Sequence, residues 1–167
     1  MSSFNEYDGV PATGNKYLLD DVLKKKWHFK GFVVSDWESV SEMIPHGAVA
    51  DRKEAAQLAA NAGLHMEMQS ATYLEHLAKL VREGKVPMSQ VDDAVRRILR
   101  VKYEIGLFED PFRACDLARR SRTLMNKSNL DAARDVSRRS IVLLKNEKAV
   151  LPLTAGKTVA LVGPLAD

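Results

Sequence analysis

The chain has 167 residues, 46% of them hydrophobic, with 25 basic and 22 acidic side chains and a net charge of +3. That is enough apolar material for a real core. One cysteine, Cys115, excludes a disulfide framework and a cysteine-based metal site, and the four histidines (His28, His46, His65, His76) show no metal-ligand spacing on one helix. Basic clusters at Lys24-Lys25-Lys26 and Arg119-Arg120-Arg122 lack the interleaved aromatics of a nucleic-acid surface and read as solvated faces.

No apolar run reaches membrane-spanning length, and Met1-Ser2-Ser3-Phe4 is not a signal peptide, which leaves localisation open. Ser2 to Asn5 reads as the end of a strand, with a turn at Tyr7-Asp8-Gly9-Val10-Pro11. Asn15 to Lys26 reads as a helix with Leu18, Leu19, Val22 and Leu23 on one face. Phe32 to Val34 then reads as a buried strand, and Asp36 lies just beyond it with Trp37 alongside. Strand ends of this kind are where α/β proteins place their chemistry. The competing reading makes Asp36 the N-cap of a following helix.

A helix is expected after Asp51, with Glu54 completing a capping box, Ala55, Leu58, Ala59 and Ala62 facing inward, and Gly63 as the stop. Leu64 to Met68 alternates like a strand, and Tyr73 to Glu83 reads as a helix ending at Gly84. The strongest helix starts at a Ser89 cap, carries Val91, Val95, Ile98, Leu99 and Lys102 on one face, and ends at Gly106. Alternating strands and helices imply parallel strands with right-handed crossovers. Residues 107–127 lose the periodic pattern and read as a linker. Ser128 opens another helix, with Asp131 as its third-position acid and Leu130, Ala133 and Val136 inward. Ile141 to Leu144 and Thr158 to Gly163 are strand-like runs, the second resembling the start of a new parallel sheet.

Several stretches, in order, resemble glycoside hydrolase family 3, the β-glucosidase and β-xylosidase family. They are Phe4-Asn5 with Gly9-Val10-Pro11, Lys30 to Trp37, Ala62 to Met68, Gly106 to Pro111, Ser140 to Leu153 and Val159 to Asp167. The resemblance implies an α/β protein: residues 1–106 as the C-terminal portion of a (β/α)8 barrel, 107–140 as linker and helix, and 141–167 as the start of an α/β sandwich domain. A whole barrel takes roughly 250 residues, so the chain is expected to be an internal fragment of a longer enzyme.

The activity implied is retaining hydrolysis of β-glycosides, β-glucosides first, with Asp36 as the nucleophile and no cofactor or metal. By the same resemblance Trp37 stacks on the sugar, and Met1 and Met68 line its ring. Core packing is the competing role for all three. Phe4 stands where the family has Tyr, keeping the ring without the hydroxyl, and His65 stands where it has Asp. Ser35 reads equally as a hydrogen-bond holder of Asp36 or a turn residue. Glu67 lies at a strand end but does not match the acid partner, which is expected beyond residue 167. Glu38 and Glu42 read as exposed charges at a helix start.

A β-linked glucoside or oligosaccharide is then the substrate, with neither nucleic acid nor membrane as partner. Localisation stays open, with the periplasm and secretion both compatible with a full-length relative. The isolated chain is expected to have little activity. The alternative is a non-catalytic fragment that folds or acts only with missing segments of its own fold or a partner chain. A phosphate-binding barrel is disfavoured because Gln69-Ser70-Ala71 is not a glycine-rich loop.

Overall fold

The computed structural model describes residues 1–164. It divides into two compact units, Met1–Cys115 and Asp116–Asp167. The first unit is α/β. Its N-terminal residues form no strand. Instead β1 (Glu6–Tyr7) and β2 (Val10–Pro11) make a two-rung antiparallel hairpin. Asp8 and Gly9 at its tip have φ of 54° and 72°, the geometry of a type I′ turn, which Asp-Gly supplies at little steric cost. The Ser2–Asn5 segment is tied to the rest by Ser2 N–H, which donates to the Val34 carbonyl at 2.9 Å, and by the Asn5 carbonyl, which accepts the Ala12 N–H at 2.9 Å.

The expected helix over 15–26 is present as Tyr17–Lys26, wound as a π-helix, with Trp27 N–H closing onto the Val22 carbonyl. Asn15 Oδ1 accepts the Leu18 N–H at 3.1 Å and satisfies a free donor at its start. The strand expected at Phe32–Val34 lies further along. β3 is Val34–Trp37, so Asp36 is within the strand rather than past its end. It pairs in parallel with β4 (Met66–Met68), which is shorter than the expected 64–68.

Helix α1 (Arg52–Ala62) makes the crossover between the two parallel strands. Its N-terminus is built as anticipated. Asp51 accepts the Glu54 N–H at 2.8 Å, and Glu54 reaches back to the Ala50 N–H at 2.9 Å. Gly63 ends it at φ 99°. Alanines form two buried rows on this helix. Ala55, Ala59 and Ala62 join Leu19, Val33, Val40, Met43 and Leu64 in one core cluster. Ala56 and Ala60 join Leu80 and Val86 in the other. Side chains without bulk let α1 approach the π-helix and the residues flanking the two strands on one side, and α2 (Thr72–Arg82) on the other.

Helix α3 (Met88–Glu104) starts one residue before the expected Ser89, with Pro87 in the cap position, where its missing N–H costs nothing. Val91 packs on the second cluster, whereas Val95 and Leu99 of the same face are exposed.

In the second unit, the presumed linker contains α4 (Leu117–Thr123), capped by Asp116, which accepts the Arg119 N–H at 2.8 Å. Helix α5 (Lys127–Ser140) begins a residue early because Asn126, not Ser128, is its cap, accepting the Asn129 N–H at 2.9 Å. Asp131 pairs with Lys127 one turn away. Leu130 and Val136, expected inward, are exposed. Neither 141–144 nor 158–163 is a strand. A strand exists only when its backbone donors and acceptors meet a partner, and none pairs with these runs among the described residues. Residues 165–167, the end of the 159–167 motif, lie outside the described residues.

Candidate active site

The Asp36 site is built on an irregularity in the β3–β4 pair. Val34 is opposite Met66 and Trp37 opposite Met68, so three steps on β3 match two on β4. The extra residue falls in the Ser35–Asp36 stretch and re-aims the side chains there, as bulges do. It also breaks the ladder, and the Ser35 side chain repairs it. Ser35 is fully buried; its Oγ accepts the Met68 N–H at 2.8 Å and donates to the Asp36 carbonyl at 2.9 Å. Of the two readings of Ser35, the hydrogen-bond holder of Asp36 agrees with this geometry, with the bond made to the Asp36 backbone carbonyl and not to its carboxylate.

The Asp36 carboxylate is half-buried, and its Oδ1 accepts the N–H of Trp37 at 2.7 Å. Its carbonyl also receives the Ser39 N–H at 3.2 Å. No α-helix starts there. A turn and a short 3-10 segment, Ser41–Met43, follow, so Asp36 is not a helix cap. The chain leaves β3 through Glu38 at φ 55° and leaves β4 through Gln69 and Ala71 at φ 69° and 58°. Each non-glycine residue in this region costs on the order of 1 kcal/mol, and such residues gather at functional loops. The sequence carries no sign of this strain, because none of the three is a glycine or an asparagine.

Trp37 is 57% exposed and is the register partner of half-buried Met68, so those two predicted residues lie side by side at the strand ends. Met1 is 75% exposed, one residue from the Ser2 bond to β3. Phe4 is half-buried, on the same N-terminal segment.

Two groups of residues escape sequence reasoning. The first is a buried hydroxyl chain in which Thr13 Oγ1 is 2.9 Å from both Ser2 Oγ and Ser39 Oγ. It links the N-terminal segment to the residue that supports the Asp36 carbonyl, and small hydroxyl residues this far apart give no pattern to read. The second is the surroundings of Glu67. Its Oε1 accepts the Thr72 N–H at 2.8 Å and the Thr72 hydroxyl at 2.6 Å, and its Oε2 accepts the Tyr73 N–H at 2.8 Å. Both oxygens are engaged in capping α2. Arg52 ties the same loop down by donating to the Ser70 carbonyl and, through Nε and Nη2, to Glu75 at 3.0 Å each. Glu42 is half-buried and Glu38 exposed. Among the described residues no group of three carboxylate, histidine or cysteine side chains is arranged to hold a metal ion, and no helix is long and apolar enough to cross a membrane.

Ser35→Ala leaves the Met68 N–H without its acceptor inside the strand pair. The expected cost is about 2 kcal/mol, read from urea unfolding, with faster hydrogen exchange at the Met68 amide as the local signature. An unchanged exchange rate there removes the bridging role.

Comparison with known proteins places the chain. The profile of the glycosyl hydrolase family 3 N-terminal domain matches residues 1–101. A periplasmic β-glucosidase of Salmonella typhimurium is 42% identical over 170 residues, covering 100% of this chain and 22% of that protein. A lysosomal β-glucosidase of Dictyostelium discoideum is 34% identical, covering 100% of this chain and 21% of that protein. β-Xylosidases are among the other relatives. The crystal structure of the Listeria innocua β-glucosidase in complex with glucose superposes with a TM-score of 0.71 at 42% identity, covering 90% of this chain and 20% of that one. A variant of the same enzyme was crystallised with laminaribiose. The chain thus spans about a fifth of the length of the relatives it matches.

Proposed function

Because the chain belongs to glycosyl hydrolase family 3, we propose that it carries the nucleophile half of a retaining β-glycosidase site, with Asp36 as the nucleophile and β-glucosides as substrates. The observation that supports this best is the bulged β3–β4 pair. It holds the Asp36 carboxylate by one backbone bond beside an exposed indole, at the ends of adjacent parallel strands. Residues 1–106 act as the C-terminal part of a (β/α)8 barrel, and 141–167 as the opening of a sandwich domain reached through 107–140.

In the reaction, an Asp36 oxygen forms a bond to the anomeric carbon while the bond to the leaving oxygen breaks, and that oxygen leaves with the electron pair. Trp37 covers the apolar C–H face of the ring. Met68 beside it, and Met1 and Phe4 on the N-terminal segment, complete that wall. A second carboxyl group about 5–5.5 Å from Asp36 protonates the leaving oxygen and then activates water. Glu67 does not fill that role, since both its oxygens are accepting from α2. The acid is supplied from outside these residues.

The test is labelling of the purified chain with a 2-deoxy-2-fluoro-β-glucoside bearing an acidic phenol. Such a leaving group needs no proton donor, so the first step depends on the nucleophile alone. The expected outcome is a mass increase mapped to Asp36. An adduct on Glu38 or Glu67 instead overturns the assignment.

A further inference from the structure

His65 enters no step of the proposed reaction, yet it is among the most deeply buried polar side chains of the first unit, with 3% of its side chain exposed. It sits just before β4 and faces Val33, just before β3. The ring Nδ1 accepts the Val33 N–H at 2.8 Å, and the His65 N–H donates back to the Val33 carbonyl at 3.0 Å. Met66 N–H donates to the same carbonyl at 3.1 Å. A ring nitrogen therefore stands in for a ladder carbonyl at the root of the strand pair, as Ser35 does at its tip.

With Nδ1 accepting, the neutral ring carries its proton on Nε2. That nitrogen makes no hydrogen bond and lies 3.7 Å from Asp93 Oδ2. Asp93, on α3, is already taken: Arg97 Nε donates to it at 2.7 Å and Lys24 Nζ lies at 3.5 Å. Arg97 also donates to the Gly31 carbonyl at 2.9 Å, pinning the turn before β3. Lys16, just before the π-helix, and Asp20 within it, with Asn61, Ser89 and Gln90, line the rest of this polar cleft. On the other side the ring shares an apolar cleft with Tyr73 of α2, whose phenol donates to the Leu64 carbonyl and whose pKa burial pushes up.

A second proton on this ring can go only to Nδ1. It removes the acceptor, strands the buried Val33 N–H, and places a cation beside Lys24 and Arg97, with one carboxylate for all three. We propose that His65 is an acid-released latch: while neutral it fastens the root of β3 to β4, and its protonation unfastens the strand pair that carries Asp36. Burial first, then Lys24 and Arg97, push the imidazole from 6.5 down to about 4, with Asp93 opposing. The folded state thus binds its proton later than the unfolded chain. Stability from the latch is complete above about pH 6.5 and is lost as the pH falls from there toward 4. Linkage makes the folding constant about twentyfold smaller at pH 5 than at pH 7 from this group alone.

The effect on catalysis rests on the Asp36 reading; the latch does not, so it is tested on the fold. In the 15N-labelled chain, the His65 ring is expected to show the Nε2–H tautomer and to titrate far below pH 6.5, with the Val33 amide shifting at the same midpoint. In urea unfolding at pH 7 and 5, wild type is expected to lose about twentyfold more in folding constant than His65→Asn, whose amide oxygen accepts the Val33 N–H without titrating. A His65 that titrates near 6.5 with the Val33 amide unmoved, or equal losses in the two proteins, overturns the latch. Failure of the fluoroglucoside to label Asp36 leaves these readouts untouched and bears on the glycosidase reading alone.

Discussion

Asp36→Asn is expected to lower kcat on an aryl β-glucoside by about four to six orders of magnitude, the scale seen when a covalent nucleophile is removed. The measurement uses a chimera in which residues 1–101 replace the matching stretch of the Listeria innocua β-glucosidase, so that the rest of the catalytic apparatus is present. Asn is the informative substitution. Its side-chain oxygen still accepts the Trp37 N–H now held at 2.7 Å by Asp36, so the bulge and the position of Trp37 are retained. What is lost is the negative charge. A neutral amide attacks the anomeric carbon poorly and offers little to the positive charge that grows on the ring in the transition state. Because both half-reactions pass through the same carboxylate, no change of leaving group restores the rate. An Asn variant within tenfold of the parent chimera would remove Asp36 from the mechanism.

Glu67→Ala is expected to destabilise the first unit by about 2–4 kcal/mol, measured as the shift of the urea midpoint at unchanged slope. Helix α2 has no cap of its own: Ala71 occupies the cap position at φ 58° and has no side chain that can accept. Glu67, at the middle of β4, substitutes for it with three acceptor contacts, two to main-chain N–H groups and one to the fully buried Thr72 hydroxyl. Alanine leaves these donors unpartnered and removes a negative charge from the positive end of the helix. Glu67→Gln keeps one accepting oxygen and turns an NH2 toward a donor, so it should fall between wild type and Ala. A Glu67→Ala protein as stable as wild type would free this carboxylate for the catalytic role denied to it above.

The two strand-end carboxylates look alike in sequence. Asp36 and Glu67 each lie within a short strand close to its C-terminal end, and only their surroundings separate them. Oδ1 of Asp36 meets one neighbouring amide, whereas both oxygens of Glu67 are drawn into α2. Local signals did predict the Asp51–Glu54 capping box, the Gly63 stop and the Asp8-Gly9 turn, because each depends on a few consecutive residues. Strand bounds were misplaced by two residues at the start of β3 and three at its end, since ladder pairing there is interrupted by the bulge and completed by Ser35 and His65 side chains. The runs at 141–144 and 158–163 have strand composition but no paired neighbour among the described residues, and composition alone cannot supply one.

By itself the sequence determined the family, through ordered motifs from Phe4 to the 159–167 stretch, and the Asp51 cap of α1, through a side chain three residues from the amide it serves; it misplaced the caps of α3 and α5, which are Pro87 and Asn126 rather than Ser89 and Ser128. The tertiary structure decided the register of β3 on β4, the role of Ser35, the capping duty of Glu67 and the buried setting of His65. Each of these joins groups more than one helical turn apart in the chain, and the bulge that aims Asp36 exists only when the strands pair. A contact between neighbours is written in the order of residues, whereas a contact across the β3–β4 pair comes into being when folding removes both partners from water.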